Sequence, residues 1–290
     1  MEIIVHGGAG RIPDTPDERV AVLELAAETG SMASTPVAAV TTAIKHLEAS
    51  PRFNAGVGSA RQSDGIVRTD AGIMTATHDV GAACSLRGVK HAISVADAVR
   101  TETPHILLAG ESAVEFADSM GIDTHTDLTT QRTDERWEQS TIAQSGYDEQ
   151  LTDVRERFGK GSDTVGAVAT DGESVVAGTS TGGRWVALAG RVGDVPQVGC
   201  GFYASSAGAA STTGAGEDIA RYTLAREAVR ELEMGASPED AAATVIDNFD
   251  RNTGSSAGII VCDNTGAVGD AYCSEAMQTA VAVDGGIRSP

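Results

Sequence analysis

DTVGAVATDG, residues 163–172, decides how this chain is read. A long, charged, weakly patterned segment ends at Asp163, and an apolar run begins at Thr164. A threonine opening such a run is ordinary by itself, because β-branched side chains suit strands. Its position is what matters. A long structureless segment is either a linker or a functional loop, and exposed loops are where a chain is cut without dismantling a core. A cut before Thr164 would give that residue a free α-amine. An α-amine has a pKa of about 8 and is partly neutral near pH 7, so it can take a hydroxyl proton. As an internal residue, Thr164 has an amide nitrogen and no such base.

Three later segments supply what such a nucleophile needs. Residues 164–169 and 174–178 read as consecutive strands turned at Asp171 and Gly172, which brings TSTGG (179–183) alongside Thr164. In GRVGD (190–194), Arg191 and Asp194 read as a local salt bridge or as a pair facing an amino-acid substrate. In the second case Arg191 takes the α-carboxylate and Asp194 the α-ammonium. In TTGAGE (212–217), Thr213 and Gly214 stand before a helix starting near Gly216. They read as an N-cap with its lead-in, or as donors gathered for a developing oxyanion.

The order and spacing of these segments, with VHGGAG (5–10) and FNAGVGSA (53–60), resemble the plant-type asparaginase and isoaspartyl-peptidase family of N-terminal-nucleophile hydrolases. The resemblance implies an α+β fold, a four-layer αββα sandwich. It implies self-cleavage between Asp163 and Thr164 into residues 1–163 and 164–290, which together make one domain, with 121–163 a flexible linker. Thr164 would then be the nucleophile, hydrogen-bonded by Thr181, and Thr213 with Gly214 would form the oxyanion hole. Substrate contacts would come from Arg191, Val192, Gly193 and Asp194, and from Thr213, Gly214, Ala215 and Gly216. Asn54 would stand behind the nucleophile. The turn carrying Leu47, Glu48, Ser50 and Phe53 resembles a loop that holds a sodium ion through backbone carbonyls; no organic cofactor is implied.

The activity implied is hydrolysis of the L-asparagine side-chain amide and of β-aspartyl peptides, by a dimer of cleaved heterodimers. Two alternatives stay open: a glycosylasparaginase, and an uncleaved small-molecule binding protein. The chain also departs from the family. RWVAL (184–188) stands where many relatives carry a polar segment ending in Lys, and Ala215 where they often carry Thr.

Composition sets the frame. With 290 residues and 41% hydrophobic content, the chain can bury a full core. Aromatics are only 4%, and 34 glycines favour close-packed layers of small side chains. Forty-one acidic against 21 basic residues give a net charge of −20, and only Lys45, Lys90 and Lys160 are lysines. Nucleic acid and anionic membranes are disfavoured as partners. Acidity with lysine depletion suggests adaptation to high salt. The start, MEIIVHGG, has no signal-peptide pattern, so the cytoplasm is the expected location. Cys84, Cys200, Cys262 and Cys273 show no metal spacing and read as buried thiols.

Along the chain, strands are expected at residues 1–6, 67–74, 81–89, 258–262, 267–273 and 277–283. Helices are expected at 17–32, after the Thr35–Pro36 cap, at 94–100, 111–120 and 214–234, and after the Ser237–Pro238 cap. From 121 to 162 no period is sustained. Two motifs are decoys. GGAG (7–10) is an incomplete dinucleotide loop interrupted by Pro13 and Pro16. GSSAG (254–258) matches a serine-hydrolase elbow by letter, but a helix precedes it and a strand follows, the reverse of what the elbow needs.

Overall fold

The structure is a computed structural model that describes residues 1–140, 142, 146–156 and 164–288. In chain order its strands are β1 (Glu2–Gly10), β2 (Thr69–Thr75), β3 (Val80–Leu86), β4 (Leu107–Ala109), β5 (Val165–Thr170), β6 (Val175–Thr181), β7 (Phe202–Ser205), β8 (Gly208–Gly214), β9 (Ala257–Asp263), β10 (Val268–Tyr272), β11 (Ala276–Val283) and β12 (Gly286–Arg288). The helices are α1 (Pro16–Ser31), α2 (Pro36–Ala49), α3 (Ala92–Glu102), α4 (Gly110–Ser119), α5 (Gln131–Glu138), α6 (Tyr147–Glu156), α7 (Gly216–Tyr222), α8 (Leu224–Glu233) and α9 (Pro238–Thr253).

The strands form two sheets. One has eight strands in the order β12-β11-β1-β5-β6-β2-β3-β4; the other has four, β10-β9-β8-β7. All pairings are antiparallel except β3 with β4. Side chains alternate between faces of a strand, and that alternation separates three apolar layers. Ile3, Val5, Val165, Ala167 and Ile73 pack with Leu23, Val40, Ile44 and Ile93 under α1, α2 and α3. Ile4, Val168, Ala177 and Met74 face Phe202, Ala209 and Ile260 between the sheets. Ile259 and Val261 pack outward on Val229, Val245, Ile246 and Phe249 of α8 and α9. The result is helix, sheet, sheet, helix, the αββα sandwich that the resemblance implied.

Both expected caps form. Thr35 Oγ accepts from the Ala38 N–H and Ser237 Oγ from the Asp240 N–H, each at a helix that opens on proline. Four expectations need correcting. The first strand does not end at His6: it continues as β1 through GGAG to Gly10, with a bulge between His6 and Ala9. The stretch 214–234 is not one helix, because Thr223 takes left-handed geometry (φ 47°, ψ 49°) and divides α7 from α8. The strands β7 and β8 were not expected; their Gly, Ala, Ser and Thr residues carry little hydrophobic signal although they are almost wholly buried. Finally, residues 121–163 are not featureless. They contain α5, which starts at a reciprocal Thr130–Thr133 cap, and α6. α5 is too polar to show an apolar face, and α6 offers only Tyr147, Leu151 and Val154. Asp163, the residue before the expected cut, lies outside the described residues.

Candidate active site

Thr164 stands immediately before β5 and is only 2% exposed. Thr181 closes β6. The β-turn between the two strands works as read, with Asp171 Oδ1 accepting from the Glu173 and Ser174 N–H groups at 3.0 and 2.9 Å. The hairpin sets the hydroxyls together: Thr164 Oγ donates to Thr181 Oγ at 3.3 Å. Thr181 Oγ also accepts from the Gly183 N–H at 3.1 Å, so this side chain supports both the nucleophile candidate and the glycine turn. Asn54 holds the same turn from behind. Its Nδ2 donates to Gly183 O at 2.6 Å, and its Oδ1 accepts from the Ala60 N–H at 2.8 Å.

Thr213 and Gly214 come from the other sheet, at the end of β8. Thr213 is fully buried, and its Oγ accepts from the Ala9 N–H at 3.4 Å. Gly214 pairs with Ala257 of β9, and the next residue, Ala215, donates its N–H to Ser256 O at 2.8 Å. Ser256, the elbow decoy, precedes β9 as its context required and props this turn through its carbonyl.

The charged groups gather at one point. Arg191 forks onto Glu217, with Nε to Oε1 and Nη2 to Oε2 both at 2.9 Å. The pair is shielded: Arg191 is 13% exposed and Glu217 29%. Gly193 and Gly216 leave room for the guanidinium, since a Cβ on either would stand 2.8 or 2.9 Å from one of its nitrogens. Val192 is half-buried beside it and Ala215 is buried. Asp194 is buried, its Oδ1 facing Gly216, and among the described residues its Oδ2 has no hydrogen-bond partner. The loop that carries Arg191 is fixed by a neighbour not anticipated from sequence. Gln62 donates to Arg191 O at 2.9 Å and accepts from the Gly190 N–H at 2.8 Å.

Two further carboxylates belong to this site and were not anticipated. Glu217 lies inside the quoted TTGAGE but was given no role. Asp70, a lone acid in the otherwise apolar strand TDAGIMT, pairs in register with Thr181 and accepts from the Ser85 N–H at 2.7 Å. A buried charge in an apolar strand was the signal that could have found it. Burial pushes Asp70 up to about 7 against the pull of Ser85 and Arg191. Burial likewise raises Asp194 to about 6, against Arg191. Burial alone would also raise Glu217, but the hydrogen bonds and charge of Arg191 outweigh it and hold this carboxyl below its usual range. Arg191 therefore serves three acids and is firmly ionised. Arg184, also unanticipated, adds a second cation within electrostatic reach of Glu217 and Arg191.

The departure segment RWVAL has a clear place. Trp185 meets Trp137 of α5 edge to face at 6.4 Å. Arg136 lies 4.3 Å over the Trp185 ring, and Arg61 pairs with Asp134. The polar connector thus docks on the loop that follows TSTGG.

The turn expected to hold sodium is built from backbone carbonyls. Those of Leu47 and Ser50 accept from the Ser50 and Phe53 N–H groups. That of Glu48 accepts from the Val57 N–H at 2.8 Å and lies against Gly56, and those of Pro51 and Phe53 lie against Gly58, where a Cβ would be crowded. Carbonyl oxygens are the kind of donor that a hard cation takes. The Glu48 side chain does different work: fully buried, it accepts from Ser180 Oγ at 2.7 Å and the Ile93 N–H at 3.0 Å. The cysteines are free thiols, three buried and Cys273 half-buried, and burial pushes Cys84 and Cys200 up to about 11.

A two-sheet αββα sandwich is the architecture of the N-terminal-nucleophile hydrolase fold. Within that class the chain belongs to the asparaginase family, whose model, described as Asparaginase, matches residues 1–289. It is 39% identical to a plant-type L-asparaginase of Thermococcus kodakarensis, over 98% of this chain and 96% of the relative. It is 40% identical to the plant-type L-asparaginase of Pyrococcus horikoshii, over 98% and 97%. An isoaspartyl peptidase/L-asparaginase of Danio rerio is 36% identical over 98% of this chain and 92% of its own length.

Proposed function

We propose that this chain is an autoprocessing amidohydrolase acting on the side-chain amide of L-asparagine and on β-aspartyl peptides. The observation that carries the reading is the Thr164–Thr181 hydroxyl pair, with Thr213 and Gly214 on the facing sheet. Cleavage between Asp163 and Thr164 frees the α-amine. That amine takes the Thr164 hydroxyl proton, directly or through water, and Oγ attacks the β-carbonyl. The Thr213 hydroxyl and the Gly214 N–H stabilise the oxyanion. The amine then returns the proton to the leaving nitrogen, and water hydrolyses the resulting β-aspartyl ester.

Substrate orientation follows from charge. An α-carboxylate competes with Glu217 for the Arg191 fork, while the α-ammonium pairs with the Asp194 carboxylate. The carbonyl-lined turn at 47–58 would hold a sodium ion in a structural role. Expected besides are a dimer of cleaved heterodimers, a cytoplasmic location and a high-salt habitat. No helix among the described residues is long and apolar enough to cross a membrane. Intact mass of the purified protein tests processing: two fragments, beginning at Met1 and Thr164, are expected. Hydrolysis of asparagine, β-aspartyl dipeptides and glycosylated asparagine tests specificity. Turnover of the glycosylated substrate alone would move the assignment to a glycosylasparaginase. A single uncut, inactive chain would make it a binding protein.

A further inference from the structure

The proposed nucleophile and the proposed oxyanion donors stand on different sheets. Thr164 and Thr181 belong to the large sheet, Thr213 and Gly214 to the small one. The spacing that catalysis needs is therefore a spacing between two sheets. One same-face step inward from each group, the sheets are locked together. In the large sheet His6, Gly166, Thr179 and Gly72 lie side by side in register, two residues from Thr164, Thr181 and Asp70. In the small sheet Ser211, two residues before Thr213, pairs with Phe202. This pair projects into the two glycine positions of the row. A Cβ on Gly166 would fall on Ser211 Oγ and His6 Nε2, and a Cβ on Gly72 would fall on the Phe202 ring.

The polar half of the lock has one direction. Thr179 Oγ donates to Gly201 O at 2.9 Å. A hydroxyl has one hydrogen, so at the 2.7 Å contact between Thr179 and Ser211 the serine must donate. Ser211 then has no hydrogen left for His6, and at their 3.0 Å contact His6 Nε2–H is the donor. The ring is thereby fixed as the Nε2–H tautomer. Its Nδ1 carries no proton and, among the described residues, no hydrogen-bond partner. Full burial pushes the His6 imidazolium down to about 3, against a hydrogen bond that the Thr164 carbonyl would accept from the protonated ring, so the ring stays neutral throughout the working pH range.

We propose that His6, Ser211 and Thr179 form an inter-sheet lock that sets the spacing between Thr164 and the Thr213–Gly214 oxyanion donors. His6 and Ser211 are then positioning residues for turnover, acting through β5 and β8. This rests on the amidohydrolase reading of Thr164 given above. Misplacing reacting groups by about 1 Å costs on the order of 100-fold in rate, while Arg191 lies outside the lock and Asp194 meets it only through its backbone carbonyl, which accepts from the Gly201 N–H at 3.2 Å. Ser211→Ala should therefore lower kcat by about 10- to 100-fold and leave KM within about threefold.

The test measures kcat and KM on the cleaved fraction of each variant, with the melting temperature alongside. His6→Gln keeps a donor at the Nε2 position and should retain most of kcat. His6→Asn places its amide short of Ser211 and should fall with Ser211→Ala. In parallel, 15N spectra of histidine-labelled protein should show His6 as an Nε2–H tautomer that stays neutral down to about pH 5, and Ser211→Ala should shift that signal. A Ser211→Ala variant with reduced melting temperature and unchanged kcat would reduce the lock to a structural contact. Equal effects of Gln and Asn at position 6, or an Nδ1–H signal, would overturn the stated direction. A wild-type protein inactive on every amide tested would sink the amidohydrolase reading instead, while the tautomer signal would still decide the lock.

Discussion

Replacing Arg191 with lysine isolates what its forked geometry contributes. Alanine is the wrong choice here. It would strip the shared cation from Glu217, Asp194 and Asp70, and leaving buried charges unpaired costs about 3–5 kcal/mol of stability. Arg191→Lys keeps the charge and loses the fork. In the free protein the fork makes two contacts of 2.9 Å to Glu217. A substrate carboxylate displacing Glu217 would take the same two donors. With side-chain exposure of only 13% at Arg191, solvent weakens these bonds little. Lysine offers a single charge-assisted bond in place of two, a loss of about 1.5–3 kcal/mol. Lysine also weakens the Glu217 contact that the substrate displaces, so part of this loss cancels; at about 1.4 kcal/mol per tenfold, KM should rise by at least about threefold and at most about 150-fold. Because the fork reads the substrate and not the reacting carbonyl, kcat should change by less than about threefold, and cleavage before Thr164 should proceed. Steady-state kinetics on asparagine and a β-aspartyl dipeptide, with a melting curve for each protein, provide the measurement. KM values within twofold of wild type on both substrates would refute the carboxylate role of Arg191.

Three other outcomes are expected. Thr164→Ala should give a folded, uncut chain of full mass; scission at the same bond in this variant would end the autoprocessing mechanism. Asp194 has a folded pKa raised to about 6, above its unfolded value, so its ionisation works against folding as pH rises through that window and does not stabilise. The ionised form is the one that binds an ammonium. KM should therefore climb as pH falls below about 6–7, where Asp194 and Asp70 titrate as a coupled pair, and Asp194→Asn should flatten that limb; a KM independent of pH from 7.5 to 5 would contradict it. With a net charge of −20, the melting temperature should rise between 0.1 and 2 M KCl as the Debye length shrinks from about 10 Å to below about 3 Å. A flat or falling value would remove the high-salt reading and leave the chemistry untouched.

The sequence was most legible where local chemistry dictates local structure. The Asp171–Gly172 turn and the Thr35–Pro36 and Ser237–Pro238 caps need only neighbouring residues, and all three form. The Thr164–Thr181 pairing was readable for the same reason, since one tight hairpin connects them. Legibility failed where burial comes from tertiary packing alone. β8 is Gly, Ala, Ser and Thr, without hydrophobic alternation, and it reads as strand only once a facing sheet covers it. Asp70 and Gln62 reach Arg191 across more than a hundred residues of chain, a distance that no spacing rule spans. The break at Thr223 sits inside a run that is helical on both sides, so its periodicity hid it.

The strand order of the large sheet carries a consequence for the protein's life after processing. β1 precedes the expected cut, and its two neighbours, β5 and β11, follow it. On the other side of the sheet, β2 precedes the cut and holds β6, which follows it. A cut before Thr164 therefore yields two pieces woven through one another. The piece after the cut keeps all of the small sheet, but neither piece retains the complete large sheet, so they stay associated without any covalent link. An intact chain refolds by a unimolecular search, at a rate independent of its concentration. Two severed pieces must first meet in solution, each exposing unpaired strand edges while it waits. Processing would thus turn a refoldable precursor into a product whose lifetime depends on never unfolding, and its endurance should be judged by an unfolding half-life in place of an equilibrium free energy.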